Sequence, residues 1–141
     1  MYLLRIAAIA ATVSLVPAAF ATTQNRAEKL FLASAKSKQA LTKLEAAAKS
    51  GNATAEDWLG LAYQSGFSEG MSRSYPMALK WFDKAAKKGC ANAEFNLGQM
   101  YQVGAGVPRD FAKAKHWYRL AAKKGSVEAK YSLEVLSELA Q

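Results

Sequence analysis

A five-residue phrase that returns at a near-constant interval constrains this chain more than any other feature. Ala85-Ala86-Lys87-Lys88-Gly89 recurs as Ala121-Ala122-Lys123-Lys124-Gly125, and a weaker copy stands at Ala47-Ala48-Lys49-Ser50-Gly51. The three glycines are 38 and 36 residues apart. Self-similarity at this period marks an array whose units cannot bury their apolar faces alone and therefore stack on one another.

The rest of the unit follows in register. Gly51 is followed by Ala55, Leu59, Gly60 and Tyr63, and Gly89 by Ala93, Leu97, Gly98 and Tyr101. Gly125 is followed by Ala129 and Leu133, with Glu134 in the glycine's place. Trp81-Phe82 matches Trp117-Tyr118, Leu44 matches in the first copy, and Ala40, Ala78 and Ala114 align. Each unit reads as two helices. The Ala-Leu-Tyr stripe at i, i+4 and i+8 lies on one face of the first. Gly66 and Gly104 close it in the left-handed region. Ser74 and Asp110 cap the second helix, and Pro76 falls in a first turn, where its missing N–H is no loss. The paired lysines sit at the negative end of the helix dipole before Gly89 and Gly125.

This spacing resembles the Sel1-like repeat family, a relative of the tetratricopeptide repeats. Residues Ala93 to Gly125 carry nearly all of its pattern: Leu97-Gly98, Tyr101, Gly104-Ala105-Gly106-Val107, Asp110, Ala114, Trp117-Tyr118 and Ala121-Ala122. The preceding unit departs in a loop two residues longer, with Ser74 where the family has an acid. The resemblance implies an all-α fold, a short right-handed α-solenoid of helix-turn-helix units. It divides the chain into a half unit over 38–51, full units over 53–89 and 91–125, and a polar C-terminal cap helix over 126–139. Residues 22–37 form an N-terminal cap helix, with Asn25 capping a helix that starts at Arg26 and turns Ala27, Leu30 and Phe31 to the next layer.

Residues 1–21 read as a secretory signal peptide: a short basic start, an apolar run from Ile6 to Val16, Pro17, and small residues at Ala19 and Ala21. The run is too short to cross a bilayer, so no stable membrane span is expected after cleavage. The expected location is exported, periplasmic or secreted. The net charge of +8 comes from lysines spread along the helices, the pattern of a solvated surface.

Groups for chemistry are scarce. There is one histidine, His116, and one cysteine, Cys90. His116 takes the repeat position of Lys80 and reads as a surface residue. Cys90 stands between two helices, and burial is expected. No spacing supports a metal site, a nucleophile with its base, or a phosphate loop, so no catalytic residue and no cofactor is assigned. Nucleic acid is not an expected partner, since the aromatics are the family's packing positions.

The family resemblance implies a non-catalytic adaptor or scaffold whose partner is another protein or peptide. An immunity-type inhibitor of an exported toxin is the alternative. A hydrolase acting on cell walls or antibiotics ranks lower, because the relatives concerned carry paired cysteines in each repeat. In solenoids of helix pairs the first helices line the inner surface. The candidate partner-binding residues there are Asp57, Trp58, Leu61 and Gln64 in one unit and Phe95, Asn96, Gln99 and Val103 in the next. Trp58 is either an interface anchor or a side chain packed under the N-terminal cap. Phe67 and Met71, in the long loop, are a second candidate surface or fold back onto the helices.

Overall fold

The computed structural model describes residues 18–68 and 70–138. Of the expected signal peptide over 1–21, residues 1–17 lie outside the described residues. Among the described residues seven helices follow one another: α1 (Ala18–Ser34), α2 (Lys38–Lys49), α3 (Ala53–Ser65), α4 (Tyr75–Lys87), α5 (Ala91–Val103), α6 (Phe111–Lys123) and α7 (Val127–Glu138). Each packs against the next, and α1 also packs on α3. The architecture is all-α, a stack of helix pairs. No described helix is long and apolar enough to cross a membrane.

Equivalent residues end equivalent helices. After α2, α4 and α6 the glycine has positive φ, at 91°, 84° and 95° for Gly51, Gly89 and Gly125. Beyond it, the N–H groups of Asn52, Cys90 and Ser126 reach back to the carbonyls of Ala47, Ala85 and Ala121. That six-to-one bond satisfies a carbonyl the helix would otherwise orphan. Starts are capped as the side chains dictate: Asn52 accepts from the Ala55 N–H, Ser74 from Met77 and Asp110 from Lys113. The longer loop after α3 closes as its neighbour does. The Ser74 N–H donates to the Tyr63 carbonyl at 2.8 Å, and the Asp110 N–H to that of Tyr101 at 2.9 Å.

The small residues in α3 and α5 are explained by what faces them. A Cβ on Gly60 would lie 2.6 Å from the Phe82 ring, and one on Gly98 would lie 2.5 Å from that of Tyr118. Each glycine admits the aromatic of its own second helix, and both rings are fully buried. The core runs as three clusters along the stack, around Leu44 and Leu59, Phe82 and Leu97, then Tyr118 and Leu136.

One helix boundary differs from expectation. α1 begins at Ala18, not at Arg26 behind an Asn25 cap. The chain has no glycine or proline between Pro17 and Gly51, so nothing in Ala18–Asn25 stops a helix. The expected cleavage point after Ala21 therefore falls inside its first turn and a half.

Candidate functional site

The first helices place equivalent residues on one stripe. Counting from the glycine before each, Asp57, Phe95 and Tyr131 share one position, and Leu61, Gln99 and Val135 share the next turn. Spacing of i and i+4 keeps the two positions on one face. Exposure along the first position rises toward the C-terminal end. Asp57 is 2% exposed, Phe95 is half-buried and Tyr131 is 68% exposed.

Two of the eight candidate residues are not available to a partner. Asp57 and Asn96 are buried, and the Asn96 amide donates to Oδ1 of Asp57 at 2.9 Å. The pair bridges α3 and α5, so these polar side chains hold the repeats together instead of facing outward. Burial pushes the Asp57 carboxyl up to about 7, with the Asn96 hydrogen bond opposing the rise.

Trp58 is half-buried, its ring centroid 4.8 Å from that of Phe31 on α1. The indole packs beneath the N-terminal cap. Phe67 stacks on the same Phe31 at 5.5 Å while remaining 46% exposed, and Met71 packs back onto the first core cluster. Leu61 and Gln64 are half-buried, Gln99 is exposed, and Val103 is 70% exposed. Tyr131 was not among the residues expected here, although extending the register from Asp57 and Phe95 leads to it.

The remaining reactive groups are apart from this stripe or muted. His116 is exposed beside Trp117. Cys90 is half-buried and its thiol is pushed up to about 11, by desolvation first and then by the Asp57 charge. Among the described residues no three of the His, Cys, Asp and Glu side chains converge as metal ligands would.

Two successive copies of the Sel1 repeat model match this chain, over residues 53–90 and 91–126. The chain belongs to the Sel1 repeat family. A solved Sel1 repeat protein from Oxalobacter formigenes is 35% identical and superposes with a TM-score of 0.63, over 67% of this chain and 70% of that one. A protective antigen of uropathogenic Escherichia coli with an SLR fold is 38% identical, with a TM-score of 0.68 over 72% of this chain. The alignment spans 21% of the antigen's length. No curated protein matches the chain. Sel1 repeat proteins generally mediate protein–protein interaction, and the fold is typically a non-catalytic interaction module.

Proposed function

We propose that this Sel1 repeat protein is an exported adaptor that binds a segment of another protein along the stripe carried by α3, α5 and α7. One observation supports this above the others. Leu61, Gln64, Phe95, Gln99, Val103 and Tyr131 are uncharged residues at matching turns of the first helices, in a chain of net charge +8. Depletion of charge with apolar and aromatic side chains is the composition of an interface centre. The amides of Gln64 and Gln99 supply donors and acceptors for a peptide backbone. Export rests on the three-part leader alone.

The test is affinity capture from an envelope extract with the wild-type protein, Val103→Asp, Tyr131→Asp and, as a control on another face, Lys80→Asp. A stoichiometric partner held by wild type and Lys80→Asp but lost by the two stripe variants supports the adaptor. If that partner is an enzyme silenced on binding, the protein is an inhibitor. Material retained equally by all four and released by salt sinks the stripe hypothesis. N-terminal sequencing of the protein from its native compartment checks export, with Thr22 the expected first residue.

A further inference from the structure

The α2 end of the array departs from the interior pattern. Eight residues before each closing glycine stand Trp81 and Trp117, but Lys43 holds that place in α2. Trp81 packs in one cluster with Leu44 and Ala48, and Trp117 packs against that of Ala85 and Ala86, each on the layer before it. Among the described residues no second helix precedes α2, and none of them covers its stacking face.

That face is a groove of about 460 Å³ between α1, α2 and the start of α3. Leu30, Ala46 and Ala47 give it an apolar wall, and Arg26 and Lys43 stand over it, both exposed. At its end Asn52 turns its carbonyl oxygen to the Ala55 N–H, which leaves the side-chain NH2 to donate elsewhere. None of the described lining residues is acidic. A lysine in place of tryptophan is what an exposed array end needs for solubility. Solubility alone does not require a concave apolar wall of ligand size beneath two cations.

We propose that this groove captures the C-terminal carboxylate of a peptide whose last side chain is aliphatic. The Arg26 guanidinium matches a carboxylate through two parallel N–H donors, with Lys43 as a second charge. The Leu30–Ala47 wall takes the aliphatic side chain, and a phosphate would leave that wall unused. Capture of a terminal carboxylate by converging donors is an established mode of peptide recognition. This rests on the reading that the protein binds other proteins, and it names a second contact distinct from the stripe on α3, α5 and α7.

The probe is the tetrapeptide acetyl-Gly-Gly-Ala-Leu with a free carboxylate, titrated into the 15N-labelled protein beside the same peptide as its C-terminal amide. The free acid is expected to shift the backbone signals of Ala46, Ala47 and Asn52 saturably. The amide form is expected to bind at least about tenfold more weakly, a difference of about 1.4 kcal/mol. Arg26→Gln with Lys43→Gln is expected to lose the same factor while melting as the wild type does, since both side chains are exposed. Equal binding of acid and amide overturns the proposal, as does displacement of the peptide by equimolar inorganic phosphate. A dimer formed through this face assigns the groove another occupant and also overturns it. Failure here leaves the Val103→Asp and Tyr131→Asp capture results untouched, so the two readings fall separately.

Discussion

Asn96 donates to Asp57 across the junction of two repeats, although the two residues are not repeat equivalents: Asn96 aligns with Trp58, and Asp57 with Phe95. The bond therefore belongs to this junction and not to the repeat as such. Asn96→Leu leaves the Asp57 oxygen buried and unpaired, a loss of about 1–3 kcal/mol. In thermal unfolding this appears as a melting point lower by roughly 4 °C for each kcal/mol. Adding Asp57→Leu is expected to recover most of it, because removing both polar groups costs less than orphaning one.

The same carboxyl makes stability depend on pH in an unusual direction. A carboxylate normally titrates at 3.8, and Asp57 is raised to about 7. Between these values the folded protein holds a proton that the unfolded chain has released. Its contribution to stability is thus complete below about pH 4 and falls as pH rises through 7, by at most about 4 kcal/mol. Urea denaturation at pH 5 and pH 8 measures this. The difference between wild type and Asp57→Asn should shrink or change sign over that interval, and a flat difference would remove Asp57 as the source.

An alanine in a helix interior is usually worth about 1 kcal/mol over glycine. Gly98→Ala is expected to go the other way, losing about 2 kcal/mol, because the new methyl would sit 2.5 Å from the buried Tyr118 ring. The converse change, Glu134→Gly at the matching place on exposed α7, meets no such ring and should lose only about 1 kcal/mol of helix propensity. Paired thermal melts decide the matter.

Lys88 reaches from the end of α4 to the Gly51 carbonyl at 2.9 Å and to Oε1 of Glu56 at 2.7 Å. Lys124 repeats the contact with Glu94. Both carboxylates are buried, and each keeps its second oxygen unpaired. Lys88→Met should destabilise by about 2 kcal/mol, between the values for exposed and fully buried pairs, since Lys88 itself is partly exposed. Lys87→Met removes only an exposed pair with Asp83 and should stay within about 0.5 kcal/mol. Equal effects of the two would contradict the burial argument.

With its thiol held near 11, Cys90 is expected to resist alkylation. At pH 8 iodoacetamide should label the native protein roughly a hundredfold more slowly than the urea-unfolded chain, in which an ordinary cysteine pKa of about 8.5 applies. Comparable rates in the two states would show that the thiol is neither desolvated nor held up by Asp57.

The fold was legible because glycine, proline and capping residues act locally. The closures at Gly89 and Gly125 and the caps at Ser74 and Asp110 need only their own neighbours to be read. The site was less legible, since which face of a first helix stays exposed depends on the helices stacked against it. Asp57 and Asn96 look like surface polar residues until the α3–α5 bond pairs them. Trp58 could be assigned only once Phe31 was seen against its ring. Tyr131 shares its register with Asp57 and Phe95, but the acidic residues of α7 mark that helix as a polar cap in the sequence. Arg26 and Lys43 gave no signal, as lysines and arginines are frequent along α1, α2, α4 and α6, and it is their place at the α2 end of the described stack that makes a groove of them.

Arrays of this kind lengthen when a unit is copied, and this chain admits a copy at some places only. A duplicated unit inserted between Gly89 and Cys90 would meet glycines that accept its aromatic and acids that accept its lysine. One appended after α7 would meet Glu134 where a ring must enter and Lys130 where Glu56 and Glu94 stand. A unit stacked on α7 therefore needs changes at both Glu134 and Lys130, which a unit inserted between Gly89 and Cys90 does not.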